Sequence, residues 1–391
     1  PTSGSPTCRR GKSDQRMLEF PYGLTAEAFL GRHWQTEPLF MPGALRRIRP
    51  SVTRNELAWL ATLDDVESRI VFTDRSGARP RYRAENGPFD DEFLAALPSR
   101  DWTLLVHDVE KHLPALRALF QHVPFVPDWR IDDLMVSFAA PGGGVGPHKD
   151  NYDVFLCQGI GVREWRITND EPTPDPQASQ DLALLNEFEG TRHLAREGDV
   201  LYLPPGIAHW GTAERACMTY SIGMRAPEIA DLAPALPDDD NVNGFYTDPD
   251  LAIDEAMPGF ISGRAIERAR ELVSDNGDDV NRAALALGRC VTATKQWLTP
   301  ETVSQHDAEQ MLAHVNNGGR IEVHGMARIA FNEHHVFVNG RSRVLTPKAM
   351  PVIERICQSR VFRGPLPEDP EAVGLLLWLL ESGTFELNGK T

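Results

Sequence analysis

The stretch from Phe138 to Phe155, Phe-Ala-Ala-Pro-Gly-Gly-Gly-Val-Gly-Pro-His-Lys-Asp-Asn-Tyr-Asp-Val-Phe, constrains this chain more than any other. It sets His148 and Asp150 two residues apart directly behind Gly142, Gly143, Gly144 and Gly146. In extended backbone, residues i and i+2 face the same way. An imidazole and a carboxylate therefore aim at one point, and the glycines let the backbone bend sharply before them. A core histidine with an acidic neighbour would give the same His-x-Asp, so the pair alone decides little. The stretch Gly198 to His209 adds what is missing: a short strand runs into the Pro204-Pro-Gly206 turn and delivers a second histidine.

Two histidines and one carboxylate on a β scaffold form a facial set that leaves metal positions open for substrates, the pattern of non-haem Fe(II) oxygenases. The five cysteines, Cys8, Cys157, Cys217, Cys290 and Cys357, are odd in number and scattered, which argues against a disulfide framework or a zinc cluster and fits a reducing cytoplasm. No apolar run approaches a membrane span. The net charge of −16 repels phosphate backbones, so direct nucleic-acid binding is not expected, and basic partners are favoured. At 391 residues the chain has room for two or three domains.

Residues 1–16 carry Ser, Gly, Pro and basic side chains without an apolar stretch and are expected to be a disordered tail, with the folded protein starting at Met17. Thr25 is an N-cap candidate ahead of Phe29, Leu30, His33 and Trp34, and Thr53 with Glu56 reads as a capping box. Arg69 to Tyr82 reads as a strand pair, Asp90 to Leu97 as a short helix, Thr103 to Val106 as a strand, and the segment holding Leu116 and Phe120 as a helix. In the strand Asp132 to Phe138, alternation puts Asp133, Met135 and Ser137 on one face and Leu134, Val136 and Phe138 on the other. Asp153 to Gln158 and Val162 to Ile167 form a hairpin about Gly159-Ile-Gly161. Its second strand puts Arg163 with Trp165 and Ile167, a cation that either needs a buried anion or lies on an exposed edge. Cys217 to Arg225 places Thr219, Ser221 and Gly223 on one face. Strands at short intervals, with ligands on two of them, indicate a β-barrel or two-sheet jelly roll of cupin type.

Composition changes near Pro227 to an acidic, Pro-rich segment containing Asp238-Asp-Asp240. Two amphipathic helices follow, one striped by Ile266, Ala269, Leu272 and Val273 and the other by Val280, Ala284, Leu287 and Val291. So small a module is expected to pack on the barrel or on a second subunit. A helix at Ala308 to Val315, two short strands around Asn332 to His335 with an Asn339-Gly340 turn, and helices at Pro351 to Cys357 and Glu371 to Ser382 suggest a winged helix. His324, His334 and His335 lie near turns without a matched carboxylate or thiolate, so they are not read as a metal site.

The glycine run, His148-Lys-Asp150, Arg163-Glu-Trp165 and Pro204 to His209 resemble the JmjC oxygenases that use Fe(II) and 2-oxoglutarate. Pro127 to Met135, Pro141 to His148, Tyr152 to Phe155 and Tyr246 to Asp250 resemble more closely the bacterial ribosomal oxygenases, which hydroxylate an arginine β-carbon in large-subunit ribosomal protein L-sixteen. The resemblance implies a mainly β fold with added α: a JmjC double-stranded β-helix over 17–227, a helical dimerisation module over 228–305 and a winged-helix-like domain over 306–391. It implies a cytoplasmic homodimer. It makes His148, Asp150 and His209 the iron ligands and catalytic centre, sets Arg163 and Ser137 on the distal carboxylate of 2-oxoglutarate, and places Asp133, Met135, Tyr152 and Ser221 around the substrate arginine. Dioxygen is the other co-substrate, and succinate and carbon dioxide are products. Specificity then rests on positioning, since no side-chain base is required. Asp133 suits a guanidinium and Tyr152 stacking on it, while a strand-end capping role for Asp133 stays open. Eukaryotic relatives act on histidine, which leaves a ribosomal histidine as the alternative target. A non-catalytic cupin used as an interaction module is a second alternative. A lysine demethylase would need a methyl-ammonium cage that the sequence does not offer.

Overall fold

The computed structural model describes residues 17–45, 48–49, 51–178, 182–232, 244–273 and 280–387. The expected tail at 1–16, the Asp238-Asp-Asp240 stretch and the Val273 side chain lie outside the described residues.

Eleven strands build the first half: β1 (Leu39–Met41), β2 (Ser68–Asp74), β3 (Arg81–Asn86), β4 (Trp102–Val106), β5 (Ile131–Ala139), β6 (Val154–Ile160), β7 (Val162–Thr168), β8 (Thr191–Arg196), β9 (Val200–Leu203), β10 (Ala208–Ala213) and β11 (Cys217–Met224). Eight of them form one antiparallel sheet in the order β1-β9-β6-β11-β5-β4-β2-β3, and the other three form a smaller sheet, β10-β7-β8. Alternation along each strand makes the two layers. On the large sheet, Leu134, Val136, Phe155, Cys157, Val200, Tyr202, Tyr220 and Ile222 share a core with Phe29 and Trp34. Those last two lie on and just after α1 (Ala26–Arg32), and α2 (Arg54–Leu60) adds Leu57 and Leu60. The intervening residues Val154, Leu156, Leu201 and Leu203 face the other way and pack with Trp165, Ile167 and Ala195 of the small sheet. This is the expected double-stranded β-helix.

Local chemistry sets the element ends. Thr25 caps α1 by accepting from the Ala28 amide at 3.2 Å, and Thr53 with Glu56 closes the capping box at α2. The helices α3 (Asp91–Ala95) and α4 (Val109–His112) are short. The segment with Leu116 and Phe120 is a 3₁₀ turn, Pro114–His122, rather than an α-helix. Pro114, without an N–H, opens it by separating it from α4. The β6–β7 turn is tighter than read, since β6 runs through Gly159 to Ile160 and only Gly161 (φ 71°) reverses the chain.

In the second half, α5 (Ile229–Leu232), α6 (Gly263–Val273) and α7 (Val280–Thr292) pack together, and the stripe Ile266, Ala269, Ala284, Leu287 and Val291 meets Trp129, Tyr246, Ala330 and Phe337 of the same chain. The stripe packs on the barrel side, one of the two expected partners, and on the chain's own C-terminal strands, which were not expected. Beyond it lie α8 (Gln305–Asn316), β12 (Arg320–Val323), β13 (Ile329–Phe331), β14 (His335–Val338), β15 (Arg341–Val344), α9 (Met350–Ser359), β16 (Val361–Arg363), α10 (Pro370–Glu381) and β17 (Phe385–Leu387). Asn332 to His335 is mostly the turn into β14, because the Asn332 side chain accepts from the His334 and His335 amides at 2.9 and 2.7 Å. The Asn339-Gly340 turn falls where expected, with φ of 48° and 77°. The small sheet β16-β12-β17 has strands of three or four residues, too short to carry a legible period. No helix among the described residues is long and apolar enough to cross a membrane.

Candidate metal centre and substrate pocket

His148 does not lie in a regular strand. The glycine run lays the chain along β10 as a pseudo-strand, bridged at Gly144 to Thr212 and at His148 to His209. Any side chain at Gly144 would press on the Gly211 carbonyl, where a Cβ would sit 2.4 Å away, and Gly146 holds a φ of 88°. His148 and His209 exchange backbone hydrogen bonds of 3.0 and 2.9 Å, which sets their side chains on the same face. The turn at Gly206 completes the arrangement, its amide donating to the Asp150 carbonyl at 2.8 Å.

The result is a cluster in which Asp150 Oδ1 lies 3.9 Å from His148 Nε2 and Oδ2 lies 3.6 Å from His209 Nε2, with one ligand atom from each residue within 4.8 Å of the others. Each histidine lies with Nδ1 against a carbonyl, Gly146 O at 2.9 Å for His148 and Ile207 O at 3.0 Å for His209. A carbonyl only accepts, so Nδ1 carries the proton and Nε2 turns a lone pair to the cluster, as metal-ligating histidines do. Burial, with His148 beside it, pushes His209 down to about 4, so its ring is neutral at physiological pH. The donor set fits a hard or borderline divalent ion with open positions.

These three residues line a cavity of about 560 Å³ between the sheets. Asp133, Met135, Ser137, Tyr152, Arg163 and Ser221 line the same cavity, so the structure brings together every site residue named from sequence. The face assignment for β5 holds, and Met135 stands opposite Ser221, with Asp133 opposite Gly223 on β11. Gly223 leaves Asp133 its space, since a Cβ there would come 3.0 Å from Oδ1. Arg163 is 5% exposed, which removes the exposed-edge reading. Its Nε and Nη2 are buried without a hydrogen-bond acceptor among the described residues, while its guanidinium lies 5.4 Å from the Trp165 ring. Burying such donors costs roughly 1–3 kcal/mol each, so the pocket is shaped for an anion that it does not itself contain. Tyr152 stands at the mouth, 40% exposed, and burial followed by Asp150, Asp133 and Asp132 raises its phenol, which stays neutral.

Among the lining residues that sequence reasoning did not single out are Glu67, His107 and Lys295. Each lies at an element end with no spacing relation to His148, and Lys295 comes from beyond α7. His324 faces Glu386 at 3.9 Å, and His335 sits in β14.

The family model for the JmjC domain matches residues 118–232. The ribosomal protein uL16 3-hydroxylase of Escherichia coli is 30% identical over 384 residues, covering 95% of this chain and all of that protein. A probable ribosomal oxygenase of Haemophilus influenzae is 32% identical over 66% of this chain and 62% of its own length. The crystal structure of the Escherichia coli ribosomal oxygenase with cobalt and 2-oxoglutarate superposes with a TM-score of 0.71 at 28% identity, covering 95% of this chain and 99% of that one.

Proposed function

The chain belongs to the ribosomal oxygenases of the JmjC class, which depend on Fe(II) and 2-oxoglutarate, and from that premise we propose that it hydroxylates the β-carbon of an arginine in a ribosomal protein of the uL16 type. The observation that carries the reading is Arg163, a buried guanidinium with two unsatisfied nitrogens in the cavity that holds His148, Asp150 and His209. A dicarboxylate co-substrate supplies the missing anion, and a charge-assisted pair in so buried a place is stronger than at a surface.

His148, Asp150 and His209 would hold the iron in this scheme. Iron with 2-oxoglutarate and dioxygen supplies the oxidising chemistry. The chain's own part is placement. Arg163, with Ser137 of β5 lining the same cavity, fixes the far carboxylate of the co-substrate, and the Trp165 ring beside the guanidinium shields that end from water. Asp133 receives the guanidinium and Met135, Tyr152 and Ser221 bound its stem, so that one C–H bond is held closest to the metal. Asp133 lines the cavity with Oδ1 beside the open Cα of Gly223, which supports a ligand role over a strand-end cap.

We divide the chain into the oxygenase jelly roll at 17–227, a helical module at 228–305 and a winged-helix-like unit at 306–391, the last supported by α8, α9 and α10 with their small sheets. A homodimer through the helical module remains part of the reading. Its support is the partly buried Leu272 and the exposed Val280, since Ile266, Ala269, Ala284, Leu287 and Val291 are covered by the same chain. A cytoplasmic place follows from a ribosomal substrate.

Iron-loaded protein with 2-oxoglutarate and a uL16-derived arginine peptide should yield succinate and a peptide one oxygen heavier, with the oxygen mapped to arginine by fragmentation. Oxygen on histidine would move the target. Absence of any succinate would leave a non-catalytic cupin.

A further inference from the structure

His107 is the residue that the scheme above leaves without a role. It follows β4, and its backbone amide donates to the Glu67 carbonyl at 2.9 Å, which pins it at the cavity wall. Its Nδ1 lies 3.2 Å from Asp133 Oδ2, and the Asp108 amide approaches the same oxygen at 3.3 Å. Asp133 therefore has one oxygen held from behind, while Oδ1 faces the gap left by Gly223. The His107 ring is about a third exposed (32%) and Asp133 rather less (15%), so solvent protons reach the pair while the carboxylate stays largely desolvated.

We propose that His107 gates Asp133: its protonated ring forms an ion pair that cancels the carboxylate's charge, and a cationic substrate side chain binds there only as His107 gives up its proton. The inference rests on the reading of Asp133 as the guanidinium anchor. The neutral ring still donates Nδ1–H and holds Oδ2 in place, so His107 acts as a positioning residue in one state and as a competitor for the anchor in the other.

The surroundings keep this titration within reach. Burial, the largest influence, favours the neutral ring, but Asp133 and then Glu67 outweigh it and Lys295 opposes them, with a net upward shift. The other titratable groups about the pair are Asp132 on β5, Asp108, Glu110 and Lys111 at α4, Arg69 on β2 and Tyr152, whose phenol is raised by burial and in part by Asp133 and stays neutral. Most are already engaged. Lys295 bridges Glu67 at 2.6 Å and Asp108 at 2.8 Å, Lys111 pairs with Asp108, and Asp132 takes Arg225 at 3.4 Å. Glu110, pushed by burial to about 7, is engaged by the Leu134 amide at 2.9 Å rather than by His107. Any pH effect from Glu110 survives removal of His107, which makes the two separable.

The test uses the full-length cobalt-loaded protein with 2-oxoglutarate and measures binding of a uL16-derived arginine peptide across the histidine range, alongside NMR of the His107 ring. The dissociation constant should fall as pH rises, approaching about tenfold per pH unit at the steepest point if one proton is released. By linkage, bound peptide should lower the His107 titration midpoint. His107→Gln, whose amide still donates to Asp133 without titrating, should flatten the profile, and a peptide with neutral citrulline for arginine should show none of the dependence in the unsubstituted protein. A flat profile in the unsubstituted protein, an unchanged slope in His107→Gln, or a His107 midpoint that ignores both bound peptide and Asp133→Asn would overturn the gate. If His107→Gln fails to fold, the NMR titration and the citrulline peptide decide alone. A gated binding profile with no oxygen added to the same peptide by the iron-loaded protein would support the gate and remove the oxygenase substrate. Hydroxylation with a flat profile would do the reverse.

Discussion

Two buried arginines, Arg130 and Arg163, sit in the same jelly roll and are treated in opposite ways. Arg130 is fully buried, and its charge is answered inside the chain: Nε and Nη2 donate to Asp248 at 2.9 and 3.0 Å, and Nη2 reaches Asp153 at 3.5 Å. Asp153 in turn accepts from Tyr202 at 2.5 Å and from Gln35 at 2.8 Å, while Asp248 accepts from the Trp34 indole at 3.1 Å. The guanidinium also lies 5.4 Å from the Tyr246 ring. This network ties α1 and the segment after the jelly roll to β6. Arg163 has no such answer among the described residues. Arg130 leaves only Nη1 without a hydrogen-bond partner and has two carboxylates against it, whereas Arg163 has no counter-charge among the described residues. A buried cation paired with carboxylates marks architecture, and one without them marks a place reserved for a ligand.

That contrast predicts which losses strike function and which strike the fold. The largest effect belongs to the open site: His148→Ala should lower 2-oxoglutarate turnover by about 10³-fold or more, roughly 4 kcal/mol, with an unchanged denaturation midpoint, because the ligand atoms lie outside the apolar core. Turnover within tenfold of the unsubstituted enzyme would remove the triad from the mechanism. Next comes the closed site, where Arg130→Ala strands Asp248 and Asp153 and should cost about 3–5 kcal/mol in chemical denaturation. A loss under ~1 kcal/mol would show that the network is incidental. Arg163→Met should sharpen the contrast, weakening 2-oxoglutarate binding by about 2–4 kcal/mol in calorimetry. Stability should hold or rise, because the two unsatisfied donors disappear. A destabilised Arg163→Met would place Arg163 with Arg130.

The same contrast explains what the sequence made legible. Alternation along β5 and β7 fixes which side chains share a face, so Asp133, Met135 and Ser137 could be grouped without coordinates, and Arg163 with Trp165 and Ile167, while the joining of the two sets came from the family resemblance. His148, Asp150 and His209 were readable because glycine and Pro-Pro-Gly turns leave a strong local mark. The pairing of Arg130 with Asp248 spans 118 residues and leaves no periodic trace. His107 and Lys295 reach the pocket only through tertiary packing, and α4 with the 3₁₀ turn after it is too short for its apolar spacing to separate the two. On α6 and α7 the stripe residues Ile266, Ala269, Ala284, Leu287 and Val291 are buried as expected while Val280 is exposed, and a stripe says nothing of whether its partner is the same chain or another copy.

The smallest predicted effect concerns a buried carboxylate that falls between the two arginines in kind. Glu110 is 2% exposed and accepts one hydrogen bond, from the Leu134 amide, behind the strand that carries Asp133. Burial first, then Asp133 and Asp108, raise its carboxyl from 4.5 to about 7, against the pull of Lys111. A raised value means that the folded state holds the proton more tightly than the unfolded chain does. The stabilisation is therefore complete below 4.5 and is lost as pH rises through about 7. Glu110→Gln resembles the protonated form, since its carbonyl accepts from Leu134 as the acid does. The variant should match the unsubstituted protein at the acid end of the window and exceed it by roughly 1–3 kcal/mol above the window. Denaturant unfolding at both ends measures the difference. A variant less stable at neutral pH would mean that Glu110 is held as an anion by Lys111, and it would then belong with the closed network around Arg130.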